Sequence, residues 1–373
     1  MDADYFSMLR EECDKERRNM GTANIMIVGK TGVGKSTLIN NVFRECLATT
    51  GIGRPVTQHL TKLTKKGVPL TLYDSKGLEL DAAVQRQIKA EIVSEIDAKL
   101  RDGAPQDFIH VVWYCINAAS NRIEAFEIEW VTDFSQKLPV IVVLTQCQSP
   151  RHEELEKQIK ALNLPVVDVV STMAEEMRFA AEFALPQFGL DKLVDATLKC
   201  IPDAAQRALV NAQKACLEKK IQEASAAVNK YVAAAFAVGF TPIPFSDAAI
   251  LVPGQLKLIA RVASIFGVTL DAPSMIAIIT AVGAVGGVAL AGKALVANIL
   301  KFVPGIGSAA GGLVSGSVAA MLTAALGFAC IRVFSEMVER TSKGETVSAD
   351  EVSELMKAAY AEHLRKDGAK IRG

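Results

Sequence analysis

Residues 29–36 read Gly29-Lys30-Thr31-Gly32-Val33-Gly34-Lys35-Ser36, and the rest of the chain is organised around this stretch. An apolar run over 25–28 precedes it, and a helical pattern over 36–46 follows it. The order strand, G-x-x-x-x-G-K-S, helix is that of a phosphate-binding P-loop. Its glycines let successive N–H groups turn inward as a nest for an anion, and the helix adds the positive end of its dipole. We therefore expect this loop to bind a nucleoside triphosphate.

The same chemistry assigns roles to the polar residues of the loop. Lys35 is expected to reach the β- and γ-phosphate oxygens, and the Ser36 hydroxyl to hold Mg²⁺. The predicted nucleotide-binding residues here are Gly29, Thr31, Gly32, Val33, Gly34, Lys35, Ser36 and Thr37.

Length and composition limit the classes of protein to which the chain can belong. Its 373 residues suffice for two or three domains, and 41 basic and 41 acidic side chains leave no basic field that would indicate a nucleic-acid partner. The seven cysteines are odd in number and include no C-x-x-C pair, which predicts free thiols in a reducing cytosol. Residues 2–18 are rich in charge and have no apolar signal-peptide core, so we expect a cytoplasmic protein.

Short apolar runs alternate with helical patterns between residues 24 and 200. The predicted strands cover 24–28, 60–65, 69–73, 108–116, 139–145 and 165–170, and the predicted helices cover 36–46, 79–101, 122–137, 151–162 and 189–200. This alternation predicts an α/β domain with a mainly parallel sheet covered by helices on both faces.

The pattern changes after Pro202, which predicts a second, all-α and apolar domain. We predict an N-terminal amphipathic helix in 1–20 that packs on the next domain, a nucleotide-binding domain over 21–201 and a helical domain over 202–373. Within the helical domain we predict one Ala-rich helix over 203–237, a rigid turn at the two prolines of 239–244, and further helices over 248–266 and 347–366.

A second phosphate-sensing segment, 74–77, follows the predicted strand 69–73. Its Asp74 carboxylate can hold Mg²⁺ through water, and the Gly77 N–H can approach the γ-phosphate because no Cβ intervenes. Thr57 is the predicted switch threonine, which binds Mg²⁺ when the γ-phosphate is present; Thr49, Thr50 and Thr61 are alternatives, as is a plain loop role for Thr57. The predicted catalytic set is Lys35, Thr57, Asp74 and Gly77, and the predicted metal ligands are Ser36, Thr57 and Asp74.

Base recognition is expected at the carboxyl ends of later strands, where open α/β sheets bind their ligands. Thr145, Gln146 and Gln148 lie at the end of strand 139–145, and Ser171 and Thr172 lie at the end of the last strand. Three residues after strand 108–116, namely Asn117, Asn121 and Arg122, either contact the switch region or cap a helix.

With these motifs in order, residues 24–200 resemble the Era-like branch of the P-loop GTPases. The resemblance implies a GTP/GDP-binding domain with Mg²⁺, in which 145–148 is the guanine motif N/T-K-x-D and 171–172 the weaker fifth motif. The stretch 240–247 resembles an uncharacterised helical domain found behind such GTPases and in some bacterial inner-membrane proteins.

Two departures from the family pattern bear on base selection and catalysis. Gln148 replaces the Asp that accepts both guanine protons, which would cost about 1.5–3 kcal/mol, and Gln146 replaces the Lys. Leu78 cannot orient the attacking water, and Gly32 stands where some relatives use an Asn with K⁺; Arg54 is the nearest cationic candidate. We therefore expect slow hydrolysis that rises when a partner, or a second protomer in a homodimer through the nucleotide-binding domain, supplies the missing group.

The apolar segment 272–331 admits two interpretations. Its uncharged runs are long enough for two membrane-spanning or membrane-dipping helices, and glycines spaced four apart suit close helix contact. Its Gly, Ala and Ser content, without Trp or Tyr anchors, is also typical of a buried hairpin in a soluble bundle. Reversible membrane association, peripheral or integral, is the interpretation that the exposed apolar area slightly favours.

The sequence thus predicts a GTP-binding switch protein whose helical domain carries the output. The alternatives are a dynamin-like, nucleotide-gated membrane scaffold and an ATP-binding protein with relaxed base selectivity.

Overall fold

The computed structural model describes residues 2–43, 52–76, 82–180, 183–238, 247–285 and 316–370. The chain divides into two compact units: Met20–Cys216, and Met1–Asn19 together with Leu217–Gly373. We call the first the sheet unit and the second the helical unit.

The sheet unit contains a seven-stranded sheet of order β2-β3-β4-β1-β5-β6-β7. Neighbouring strands from β4 to β7 are parallel, whereas β2–β3 and β3–β4 are antiparallel. The strands are β1 Ala23–Gly29, β2 Ile52–Pro55, β3 Leu60–Thr64, β4 Leu70–Ser75, β5 Val111–Asn117, β6 Val140–Thr145 and β7 Asp168–Ser171, and a separate hairpin pairs β8 Met177–Ala180 with β9 Phe183–Leu185. The predicted mainly parallel α/β fold is therefore confirmed.

Helices cover the sheet and form the helical unit. Those of the sheet unit are α2 Lys35–Val42, α3 Ala82–Asp102, α4 Ala125–Ser135, α5 Arg151–Ala161, α6 Leu190–Cys200 and α7 Asp203–Ala212. Those of the helical unit are α1 Asp2–Arg18, α8 Leu217–Val238, α9 Asp247–Phe266, α10 Ala272–Val285, α11 Gly316–Ser342 and α12 Ala349–Lys370.

Strand alternation builds one apolar core on each face of the sheet. Ile25 and Ile27 enter the core that holds Trp113, whereas Met26 and Val28 enter the opposite one. All four are fully buried, as expected for strands covered on both faces. The Trp113 Nε1–H donates to a buried threonine hydroxyl 3.0 Å away, which satisfies its one polar atom.

Three short strands were missed by the sequence prediction. β2 pairs with β3 at the sheet edge, with Pro55 opposite Thr61. A proline lacks an N–H, so an edge position suits this strand and its sequence carries little strand signal. The β8–β9 hairpin contains an irregular register between Arg178 and Ala180 and lies outside the main sheet.

The prediction of one helix over 203–237 was wrong, because the chain breaks between α7 and α8. Gln213 takes an extended conformation and pairs with Phe43 in an isolated bridge. Its buried side chain donates to Cys216 O at 3.0 Å and accepts from Cys216 N at 2.8 Å. Lys214 N also donates to Val42 O at 2.8 Å, so the connector is tied to the end of α2. Accordingly α7 packs against β1 and β4, and the sheet unit continues past the predicted boundary at 201.

The N-terminal helix also differs from its prediction, since it packs within the helical unit rather than on the following domain. α1 contacts α9 and α10. The Arg261 guanidinium on α9, with 14% of its side chain exposed, lies 3.2 Å from Glu16 of α1 and 3.2 Å from Glu223 of α8. This shared cation joins three helices.

The described part of the apolar segment consists of α10 and the first half of α11. Within α11, the 24 residues Ala319–Ser342 are long enough to cross a membrane and contain an 18-residue window with a mean hydropathy of 1.5, of which 61% is buried. A core helix of a soluble bundle has the same properties. Residues 286–315 and most of the stretch 240–247 lie outside the described residues, so membrane association stays a prediction.

Close packing of α8 on α11 gives a stability test. A Cβ at Gly327 would lie 2.6 Å from both methyl carbons of Val228, a stiff β-branched side chain. We expect Gly327→Ala to lower the free energy of unfolding by about 1–3 kcal/mol, measured by urea denaturation. The double variant with Val228→Ala should recover part of this loss, and a neutral Gly327→Ala would contradict the contact.

Candidate nucleotide-binding site

The P-loop connects β1 to α2 and lies close against β5. A Cβ on Gly29 would lie 2.5 Å from Cys115 O, so no side chain fits there. Gly32 and Gly34 have φ of 77° and 92°, in the left-handed region that favours glycine. These three positions explain why the loop needs glycine at this spacing.

Lys35 begins α2 and is buried within the loop. Its Nζ donates to Gly29 O at 2.7 Å and to Lys30 O at 3.1 Å. Burial lowers the pKa of Lys35, and the nearby Asp74 carboxylate opposes this shift. The ammonium therefore lies directly behind the backbone that is predicted to cradle phosphates.

The other predicted polar residues of the loop differ from Lys35 in their burial. Thr31 and Ser36 are exposed, and Thr37 is half-buried. Val33 is buried, and its carbonyl accepts a 2.6 Å hydrogen bond from the Thr145 hydroxyl. The loop thus presents hydroxyls outward while Thr145 fixes it from the side of β6.

Asp74 lies near the end of β4, between β1 and β3, in register with Ile27 and Thr61. Its Oδ1 is buried and has no hydrogen-bond partner among the described residues. Burial raises the pKa of Asp74, and Lys35 opposes the shift. An unpartnered carboxylate oxygen next to the P-loop fits a hard cation such as Mg²⁺, which prefers oxygen ligands. Gly77 and Leu78 lie outside the described residues.

Thr57 lies in the turn between β2 and β3, four residues before Thr61 and hence near the Asp74 end of β4. Its hydroxyl accepts from the His59 N–H at 3.2 Å and hydrogen-bonds to Glu91 of α3. The His59 N–H and Nδ1 also contact Glu91, at 3.2 and 3.0 Å. Burial would raise the pKa of Glu91, but hydrogen bonds from Thr57, His59 and Gln87 lower it to about 2.

The predicted base motif follows β6 and contacts the P-loop. Gln146 has a positive φ of 53°, and its Nε2 donates to Gly32 O at 2.9 Å. The Asn117 amide donates to Gln146 Oε1 at 3.4 Å. Asn117 thereby touches the base motif, and its Oδ1 caps the following turn by accepting from Ala119 N at 2.9 Å.

The fifth motif is held by β6 and α5. Thr172 is fully buried, and both its N–H and its hydroxyl donate to Leu144 O, at 2.7 and 2.9 Å. The Ser171 hydroxyl donates to Glu156 at 2.5 Å. Gln148 is exposed and lines a cavity of about 410 Å³ together with Gln146.

An ion network that sequence reasoning missed fixes the second residue of the P-loop. The Lys30 Nζ lies 2.8 Å from Glu124 Oε1, 3.4 Å from the buried Glu127 and 5.0 Å from the centre of the Phe126 ring. The Lys30 hydrogen bond holds the pKa of Glu124 low, while burial raises that of Glu127. Arg122, for which either a switch contact or a place at a capped helix start was predicted, pairs at 3.6 Å with Glu124, the N-cap residue of α4. The spacing E-x-x-E at a helix start was the available signal, but nothing local links it to Lys30.

A glycine-rich loop at a helix N-terminus, a buried lysine within it and a buried carboxylate on the adjacent strand define a P-loop nucleotide-binding domain. Comparison with known proteins agrees. The family described as "50S ribosome-binding GTPase" matches residues 24–146, and a "Domain of unknown function (DUF697)" matches residues 204–362. The two matches follow one another along the chain and support a P-loop GTPase domain followed by a helical domain.

Individual relatives match part of the chain. Septin-9 of Homo sapiens is 23% identical over 154 residues, which are 35% of this chain and 26% of the septin. The chain thus spans about a quarter of that relative's length. A crystal structure of a probable GTP-binding protein engB is 18% identical, covers 48% of this chain and 98% of its own, and has a TM-score of 0.35. The crystal structure of Era with MgGDPNP and a 16S ribosomal RNA segment is 22% identical. The match covers 49% of this chain and 58% of the Era chain, with a TM-score of 0.33.

The close approach of the P-loop to β5 gives the prediction for this site. We expect Gly29→Ala to abolish nucleotide binding, because the added Cβ would have to displace Cys115 O, a backbone atom 2.5 Å away. Equilibrium titration with a fluorescent GTP analogue measures this. Gly254→Ala is the matched control, since a Cβ there meets open space. Normal affinity in Gly29→Ala would show that the loop is not packed as described.

Proposed function

We propose that this protein is a GTP-binding switch with slow intrinsic GTP hydrolysis, whose output is carried by the helical unit. The observation that carries the proposal is a P-loop that holds a buried Lys35 ammonium beside the buried Oδ1 of Asp74, which has no hydrogen-bond partner among the described residues. A cation behind the loop suits the β- and γ-phosphates, and a carboxylate beside it suits the accompanying metal. Guanine is the proposed base because the sheet unit matches a GTPase family.

Mg²⁺ is the proposed metal, with Ser36, Asp74 and Thr57 as its protein oxygens. Ser36 is exposed at the start of α2, and Asp74 Oδ1 lacks a partner among the described residues. Mg²⁺ takes few protein ligands and shares the rest of its shell with phosphate oxygens and water. When bound, it would neutralise charge on the β- and γ-phosphates.

Thr57 is the proposed sensor of the γ-phosphate. Its hydroxyl is engaged by Glu91 and the His59 N–H. We propose that the hydroxyl leaves Glu91 when it binds Mg²⁺, so that GTP binding competes with this hydrogen bond whereas GDP binding does not. The switch is therefore an exchange of partners by one hydroxyl, with α3 carrying the competing acceptor.

Slow hydrolysis follows from the side chains available to orient water. Gly32 offers no side chain, and the described residues of the P-loop supply no amide or carboxylate of their own to the attacking water. We propose that a partner supplies the group, and that a homodimer through the sheet unit is one such arrangement.

The link to the helical unit is proposed to run through α2. The end of this P-loop helix is tied to the connector by the bridge between Phe43 and Gln213, which includes the hydrogen bond from Lys214 N to Val42 O. Gln213 in turn holds Cys216, the last residue before the helical unit. A displacement of α2 on nucleotide exchange would thus reach the chain that enters α8.

The first test of this function is binding and turnover by the full chain. We expect Lys35→Ala to weaken GTP binding about 100-fold, because a charge-assisted contact to phosphate is lost. Calorimetric titration with Mg²⁺ present measures this. Wild-type turnover should be about 10⁻³ s⁻¹ or slower. The exposed Lys357→Ala in the helical unit is the control. Equal affinities for ATP and GTP, or turnover of several per second by the monomer, would contradict the proposal.

A second test addresses the switch. We expect Glu91→Ala to raise affinity for a non-hydrolysable GTP analogue about fivefold and to leave GDP affinity unchanged, because Thr57 no longer has to leave a hydrogen bond. Glu129→Ala on α4, which removes an exposed carboxylate paired with Lys89, is the control. An equal change in affinity for the GTP analogue and for GDP would show that Thr57 does not sense the γ-phosphate.

A further inference from the structure

The cavity at the carboxyl ends of β5 and β6 has an unusual set of side chains for a guanine site. It is lined by Gln146, Gln148, Arg151 and His152 among others, and none of its described lining residues carries a carboxylate. Guanine presents two donors on one edge, its N1–H and its 2-amino group. Gln148 offers one acceptor oxygen, so one of these donors needs another acceptor.

His152 can supply that acceptor because its tautomer is fixed. Its Nδ1 lies 2.6 Å from Ser149 O, and a carbonyl oxygen only accepts, so Nδ1 carries the proton. In the neutral ring the lone pair is then on Nε2, the nitrogen not used by Ser149. The ring also packs against Phe188, with centroids 5.5 Å apart, which holds its orientation.

We propose that His152 is a specificity-determining residue that accepts a hydrogen bond from the guanine 2-amino group through Nε2. The inference rests on the proposed function, since it needs a purine nucleotide bound with its base in this cavity. Guanine is then recognised by two neutral acceptors on one loop-to-helix segment, Gln148 Oε1 for N1–H and His152 Nε2 for the amino group. These two acceptors replace the single carboxylate that the family motif supplies.

The two acceptors predict the order in which purine nucleotides bind. Inosine nucleotides keep N1–H but lack the 2-amino group, so they lose the His152 contact alone. Xanthosine nucleotides place an acceptor oxygen at that position, which would face the Nε2 lone pair. We therefore expect GTP to bind about tenfold more tightly than ITP, and ITP more tightly than XTP.

The experiment measures dissociation constants for GTP, ITP, XTP and ATP on the full chain with Mg²⁺, all at the same mildly alkaline pH. His152→Phe keeps a ring against Phe188 and removes the acceptor. We expect it to weaken GTP about tenfold and to leave ITP within about twofold. Gln148→Asp added to His152→Phe should restore preference for GTP, because a carboxylate accepts both protons.

The outcomes separate this inference from the proposed function. Equal losses of GTP and ITP affinity in His152→Phe would mean that the ring only supports the fold, and would overturn the inference. A wild-type protein that binds GTP and ITP equally, or XTP more tightly than GTP, would also overturn it without any variant. If the wild type bound none of the triphosphates, the proposed function itself would fail.

Discussion

Two opposite charges at the P-loop, the buried Lys35 ammonium and the Asp74 carboxylate with its buried Oδ1, are the constraint on which the site depends. Burial shifts the pKa of each toward the neutral form, and each opposes the shift of the other. Removing either charge would leave the other desolvated with less electrostatic compensation. Lys35 Nζ also donates hydrogen bonds to two P-loop carbonyls, whereas Asp74 Oδ1 has no hydrogen-bond partner among the described residues. Lys35 thus has its hydrogen-bond partners, whereas Asp74 has an oxygen to which no described residue donates, which fits the proposal that a metal binds there together with the nucleotide.

Around this pair the loop is held from three directions by chemically different contacts. Gly29 lies against a backbone oxygen of β5, Thr145 bonds the Val33 carbonyl, and Lys30 reaches two glutamates at the start of α4. Because every contact leads to a different element of the sheet unit, the loop geometry is set by the whole fold rather than by local sequence. A preformed loop reduces the ordering cost when phosphate binds.

Features of the fold and site that neighbouring residues encode could be predicted from the sequence, whereas contacts between residues distant in the chain could not. The P-loop and the buried strands β1, β5 and β6 follow from glycine spacing and from runs of β-branched residues, which need no knowledge of the fold. The break at Gln213 could not be read locally, since its cause is a bridge to Phe43, distant in the chain. Pairing of Lys30 with Glu127, and capture of Thr57 by Glu91, are likewise long-range contacts between ordinary charged and polar residues. The tautomer of His152 depends on one backbone carbonyl whose direction the sequence does not encode.

The helical unit is assembled from both ends of the described chain, with the sheet unit inserted between them. During synthesis α1 leaves the ribosome before the sheet unit, and its partners α9 and α10 follow only after the entire sheet unit. At ordinary elongation rates of about 5–20 residues per second, that delay is roughly 10–50 s, long enough for the sheet unit to fold. Until Arg261 arrives to pair with Glu16, α1 is an amphipathic helix without its bundle. The sheet unit can therefore fold while the chain is still being synthesised, whereas the helical unit can assemble only after α9 and α10 have been made.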